Sequence, residues 1–346
     1  MLKVLRKKLI LSIAASLVIV MTLTSTTFAW FAKNREAWID NFELEIENYD
    51  GLWISVDGTH FSQSVTPSEL KRAIIAKRDN KEYNDSSLDA EYVNDEYSKL
   101  RFKDITTRDL KNFYTVNQNS QTDGYYNFME ASKDNYVKFD LYFMLEPFGE
   151  GNLEYDLKFV NDTVVNDLEV GLPYIESGEV KTKSVTSFEV LNLSNGATIQ
   201  YSYGNELSFD PANAMRISAV NETENKVNVY EPNMGLSSYA IKDGEGIFDP
   251  KANLAYQYLN AYARYDLPVL EQKETDIYDF KMTHKSFNDD VSLGTFKNTN
   301  GEYNVIKLEM SIWLEGYDGD YIAGASLKPI RCYLSFYKKE KVEEVV

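Results

Sequence analysis

Val137-Lys138-Phe139-Asp140-Leu141-Tyr142-Phe143-Met144-Leu145 places an apolar side chain at every second position. Successive side chains of a strand point to opposite faces, so this period of two predicts a strand with one face in a core and the other facing water. Pro147, Gly149 and Gly151 break the run. Leu153, Tyr155, Leu157 and Phe159 then alternate with Glu154, Asp156 and Lys158, and the two runs predict a hairpin with a longer loop.

The same alternation extends in both directions. Phe42, Leu44 and Ile46 alternate with Glu43, Glu45 and Glu47. Asn48-Tyr49-Asp50-Gly51 follows, and its Asp-Gly pair is a strong hairpin signal. Leu52, Ile54 and Val56 resume the pattern until Asp57-Gly58. Ile199, Tyr201 and Tyr203 lead past Asn205 to a run around Met215-Arg216-Ile217. Ile306, Leu308, Met310, Ile312 and Leu314 alternate with Lys307, Glu309, Ser311 and Trp313. The last run carries Ile330, Cys332, Leu334 and Phe336 on one face. Half-polar strands separated by Gly, Asn and Asp turns predict an all-β fold, an antiparallel β-sandwich of jelly-roll type. Its core would draw on 42–47, 137–160, 199–220 and 305–337.

Helices are sparse. Thr66-Pro67-Ser68-Glu69 is a capping box with proline at the first helical position, and Leu70, Ala73, Ile74 and Lys77 continue at helical spacing. Asp249-Pro250 starts a second candidate through Leu254, Ala255, Tyr258 and Leu259. Residues 79–135 are polar and weakly patterned, so about 66–135 is expected to be a helical and irregular insertion. The 346 residues leave room for one large domain or two ordinary ones. No repeat and no low-complexity linker divides the chain, so 33–346 is expected to be a single elaborated domain with a fraying tail from Lys338 to Val346.

The first thirty residues bear on the compartment. Lys3, Arg6, Lys7 and Lys8 precede an apolar run from Leu9 through Leu23, with no further charge until Lys33. Thr27-Phe28-Ala29 supplies small residues at the -3 and -1 positions of a signal-peptidase cut. This is the layout of a secretory leader over 1–29. The run is also nearly long enough to stay in a bilayer as a signal-anchor helix. Both readings export residues 33–346 to the cell surface or medium. The partners implied are a signal peptidase during export, and a membrane only through an uncleaved leader. A type IV pilin leader would keep a Glu near the start of its apolar helix, and residues 9–32 contain no acid.

Composition narrows the function further. A formal charge of -18 argues against a nucleic-acid binder, which needs a basic footprint to neutralise phosphates. One Cys and two His allow neither an internal disulfide nor a Cys/His zinc cage. His60 is followed by Phe61 and His284 by Lys285, so the His-Glu-x-x-His pattern of zinc proteases is absent and both His are expected at the surface. Cys332 sits in a strand without a His nearby in sequence, which fits a small core residue better than a nucleophile. No phosphate-binding glycine loop and no Gly-x-Ser-x-Gly elbow is present. Tyr201, Tyr203, Tyr256, Tyr258 and Tyr262 form the densest aromatic group, read as strand-face packing or as a carbohydrate- or protein-binding face.

One acidic stretch is a candidate cation site. Glu315, Asp318 and Asp320 lie around Gly316 and Gly319, which would let the backbone turn tightly enough to add carbonyl ligands to Ca²⁺. The spacing is not that of an EF-hand. The competing reading is an acidic turn balanced by Lys328 or Arg331.

The leader end Ser25-Thr26-Thr27-Phe28-Ala29-Trp30-Phe31, the block Gly51-Leu52-Trp53-Ile54-Ser55-Val56-Asp57-Gly58 and the later Ile312-Trp313-Leu314-Glu315-Gly316-Tyr317-Asp318-Gly319-Asp320 resemble exported Firmicute-type surface proteins of the TasA and camelysin kind. The likeness is carried chiefly by residues 3–33, and the Trp-Leu-Glu-Gly block is closer to uncharacterised relatives. It implies a leader handled by a dedicated signal peptidase and an exported β-sandwich on a Gram-positive-type surface. The expected function is a non-enzymatic surface or biofilm-matrix structural protein, self-associating into fibres through the strand after the leader. A monomeric module that binds a glycan or protein is the alternative, and a secreted hydrolase the weaker one.

Overall fold

The computed structural model describes residues 37–46, 51–107, 109–122, 125–148, 153–161, 171–192, 196–231, 284–297, 303–315 and 329–341, with 254, 257 and 261. The leader expected over 1–29 lies outside them. The described strands and helices belong to one compact unit, Glu36–Val346.

In chain order the elements are β1 (Trp38–Ile46), β2 (Leu52–Ser55), β3 (Ser64–Val65), α1 (Pro67–Asp79), α2 (Ala90–Tyr97), β4 (Asp104–Thr107), β5 (Phe113–Thr122), β6 (Tyr125–Glu130), β7 (Val137–Leu145) and β8 (Glu154–Phe159). They continue with β9 (Tyr174–Ser177), β10 (Val180–Lys183), β11 (Phe188–Leu191), β12 (Thr198–Tyr201), β13 (Glu206–Phe209), β14 (Met215–Asn221), β15 (Lys226–Tyr230), β16 (His284–Lys285), β17 (Gly294–Lys297), β18 (Asn304–Glu315) and β19 (Pro329–Glu340). The chain is all-β in character, as the alternation predicts.

Two large sheets dominate. In the first, β3, β1, β19, β8 and β17 lie side by side, and β9 also pairs with β19. In the second the order is β16, β15, β14, β18, β4, β5, β6, with β7 also on β18 and β2 on β7. Phe42, Leu44 and Ile46 of β1 and Leu334 and Phe336 of β19 share one buried cluster with Phe139, Leu141 and Phe143 of β7 and Leu308, Met310 and Ile312 of β18. The Phe143 and Phe336 rings meet with centroids 4.7 Å apart. A smaller core, containing Ile105, Phe113, Val229 and Trp313, lies on the second sheet. The short ribbons β10–β13 and β11–β12 close around Phe188, Val190, Leu207 and Phe209.

Three sequence expectations are corrected. The sheets are mixed, because β1 pairs with β19, β15 with β16 and β4 with β18 in parallel. Neither expected hairpin forms. β1 belongs to the first sheet and β2 to the second, and β7 and β8 are divided in the same way. Alternation tells which side chains face the core but not from which sheet, so two strands joined by a turn can face each other across the core. Gly51, at φ 78°, supplies the left-handed backbone where β2 begins.

The third correction is the insertion. Thr66 and Glu69 form the expected capping box, and Asn80 ends α1 in the left-handed conformation. Beyond α2, however, β4, β5 and β6 extend the second sheet. Their polar sequence lacks alternation because an edge hairpin need not bury a full face. The second candidate helix is helical at 254, 257 and 261, and its other residues lie outside those described.

Candidate functional site

A cleft of about 260 Å³ lies where β1, α1, α2 and the start of β7 meet. Ala37 and Phe102 exchange backbone hydrogen bonds of 3.2 and 2.6 Å, which ties the start of β1 to the chain leaving α2. Asp89 caps α2 by accepting from the Tyr92 amide at 2.8 Å. After Tyr97 the chain leaves the helix and buries Leu100 and Phe102. Ile39, Phe102 and Val137, all buried, give the cleft apolar walls.

Its polar groups are Asp40, Lys71, Tyr97, Ser98 and Arg101. The Lys71 ammonium stands 5.0 Å above the Tyr97 ring centroid, a cation–π distance. Arg101 donates from Nη1 to the carbonyls of Ser98 and Leu100, each at 2.6 Å, which fixes its guanidinium against the end of α2. Burial pushes the Tyr97 hydroxyl well above its ordinary value, and neighbouring Cys332 and Asp40 add to the shift. The phenol therefore remains a proton donor at neutral pH. Two cations against one carboxylate make the cleft locally basic on a chain of net charge -18. Ligand pockets usually occupy roughly 300–1,000 Å³, so this space suits one side chain or a small acid rather than a large ligand.

The acidic candidate divides. Glu315 is the last residue of β18, 1% exposed, and its Oε2 accepts from the Trp313 indole at 3.0 Å. It is therefore a buried strand residue, and Asp318 and Asp320 lie outside the described residues. Across the sheet, Arg216 pairs in register with Trp313 and stands 3.5 Å from Glu231. Arg216 and Glu231 are both fully buried, so a polar row of Glu231, Arg216, Trp313 and Glu315 runs from the residue after β15 across β14 to β18. Charges so deeply buried persist only when paired and hydrogen-bonded.

The remaining candidates separate widely. His60 is exposed and its Nδ1 lies 2.7 Å from Asp57 Oδ2. Asp57 also accepts from the Ser55 hydroxyl and the Thr59 and His60 amides, each at 2.8 Å. Burial works against its ionised form, but these hydrogen bonds hold the carboxyl far below the usual range. His284 pairs through its backbone with Val229 on another strand. Cys332 is buried, and burial pushes its thiol far above the ordinary value, so the reactive thiolate does not form near neutral pH. Tyr201 stacks on Phe188 at 5.0 Å while Tyr203 is 76% exposed; Tyr256, Tyr258 and Tyr262 lie outside the described residues.

Among the described residues no three His, Cys, Asp or Glu side chains come together as a metal-binding group, and no described helix is long and apolar enough to cross a membrane. Comparisons with known protein families, with curated proteins and with solved structures found no match. The cleft was not legible in the sequence. Its residues come from β1, α1, the end of α2 and β7, and no local motif joins them.

Proposed function

We propose that the chain is a non-enzymatic exported protein of the cell surface or extracellular matrix, with a structural role. Its domain is then a β-sandwich of jelly-roll type, carried outside by the leader as a signal peptide or anchor. The observation that supports this reading is the place of β1. The first strand after the leader is built into the first sheet between β19 and the two-residue edge strand β3, with Phe42, Leu44 and Ile46 at most 4% exposed. A sheet that takes this strand from residues next to its own leader can also take it from a second copy, which is a route to fibres. Here β1 pairs within its own domain, so such assembly requires exchange of the strand between copies.

Electron microscopy of the purified exported chain at rising concentration tests the reading, with protease shaving of intact cells as the check on export. Fibres that grow with concentration support the matrix role. Persistent monomers favour the alternative, a surface module that binds a partner. That alternative draws on the basic cleft, whose Lys71 and Arg101 suit an acidic side chain or a chain-terminal carboxylate.

A further inference from the structure

The first and last strands of the described domain run side by side in the same direction. Trp38 faces Pro329, and the register continues through Phe42 opposite Cys332 and Leu44 opposite Leu334 to Ile46 opposite Phe336, with one irregularity between Ile39 and Asn41. The chain therefore enters β1 at one end of the ladder and leaves β19 at the other. Tension between these two points runs along the strands. It loads the cross-strand bonds in shear, where they share the force and must fail together. Two antiparallel end strands would bring both points to the same end, and the ladder would open one bond at a time.

The neighbours of the two strands determine which of them moves. β19 is held on its other edge by β9 at Ile330–Tyr333 and by β8 at Phe336–Glu340. Lys341 extends that hold with a backbone bond of 2.9 Å to Glu154 and a side-chain pair of 2.8 Å. On its other edge β1 is held more lightly among the described residues: Leu44 and Glu45 pair with β3, the Ile46 amide donates to the Gln63 carbonyl at 3.2 Å, and the Ala37–Phe102 bridge precedes the strand. Failure under tension is therefore sliding of β1 along β19. Such a slip would also draw Phe42, Leu44 and Ile46 out of the shared core. On the opposite face the Tyr333 hydroxyl donates to Glu45 Oε1, a side-chain pin between the two strands.

We propose that the β1–β19 ladder is a mechanical clamp, which makes this domain resistant to tension applied along the chain from its leader-proximal end. The function is tension bearing, and the force axis is the line from residue 37 to residue 341. The inference stands on strand direction and neighbours, and holds whether or not the chain forms fibres. The rate of forced unfolding reports the barrier along the pulled direction rather than equilibrium stability.

Single-molecule force spectroscopy on the exported chain tests it in two geometries. In the first, handles sit at the two chain ends. In the second, thiol handles replace exposed residues at the same end of the ladder, Asp40→Cys with Arg331→Cys; Glu43→Cys replaces Asp40→Cys if that variant does not fold. Cys332 is buried and does not compete for the handles. End-to-end pulling is expected to need a several-fold higher rupture force than same-end pulling. Tyr333→Phe is expected to lower the end-to-end force and leave the same-end force unchanged. Equal forces in the two geometries, or a lower end-to-end force, overturn the clamp. Such a result would leave the matrix role untouched, because that role is read by microscopy.

Discussion

Phe42 of β1 and Phe139 of β7 meet edge to face between the two large sheets, with ring centroids 5.5 Å apart and planes at 82°. One ring comes from the first described strand and the other from the middle of the chain. Their contact joins the sheet carrying the clamp to the sheet carrying most of the remaining strands. Phe139 is fully buried, so Phe139→Ala removes its apolar area and leaves a cavity. The expected cost is about 3–5 kcal/mol. Urea unfolding should show it as a lower midpoint with an unchanged slope, since the surface exposed on unfolding hardly alters.

The strands with a clean period of two were legible; β4, β5 and β6 were not, and neither were the pairings. Every second residue from Val137 to Leu145 is buried in the structure, as the alternation required. Ile330, Cys332, Leu334 and Phe336 are likewise at most 2% exposed. The pairing of Trp38 with Pro329 has no local signal, because the two residues stand at opposite ends of the domain in sequence. Asp50-Gly51 signalled a hairpin, but β1 before it and β2 after it belong to different sheets. The buried Arg216 was hidden for a similar reason. It sits within a strand run next to Met215 and Ile217, and its partner Glu231 is the residue that follows β15.

Lys77 at the end of α1 bridges Asp140 of β7 and Glu309 of β18, each at 2.8 Å, and Lys138 also reaches Glu309 at 2.8 Å. Burial alone would raise the Glu309 pKa, but the hydrogen bonds from Lys138 and Lys77 outweigh it and hold the carboxyl below its ordinary 4.5. A depressed carboxyl pKa contributes stability that is present above pH 4.5 and is lost as pH falls through the folded value. Glu309→Gln should therefore cost about 1 kcal/mol at neutral pH, given its partial exposure, and should flatten the acid limb of the stability profile. Thermal melts between neutral pH and pH 3 check both effects. An unchanged acid limb in the variant would remove Glu309 from the account.

His60 offers a cleaner titration because it is exposed. The hydrogen bond and charge of Asp57 raise its pKa above 6.5. A raised histidine pKa favours the folded turn below pH 6.5, and the contribution disappears as pH rises through the folded value. Proton NMR should show the His60 midpoint above 6.5, returning to the ordinary value in Asp57→Asn. A midpoint already ordinary in the unaltered protein would mean that the 2.7 Å contact does not persist in solution.

The Trp313–Glu315 contact leads to the last prediction. Both side chains are at most 2% exposed, and the indole donates to Oε2 at 3.0 Å. Trp313→Phe keeps most of the apolar packing but removes that donor from a buried carboxylate. The expected cost is about 1–3 kcal/mol beyond the packing change, because a buried acceptor that loses a donor keeps its desolvation penalty. The same contact weakens the calcium reading, since it engages one oxygen of the buried Glu315 within the fold. A cation that binds only the folded state raises the melting temperature by mass action. Added calcium is therefore expected to leave the melting temperature unchanged, in the unaltered chain and in Asp318→Asn plus Asp320→Asn alike. A rise that the double variant abolishes would return the turn to the list of sites, with the two aspartates rather than Glu315 as its ligands. A rise that survives in the double variant would place the calcium elsewhere on the protein.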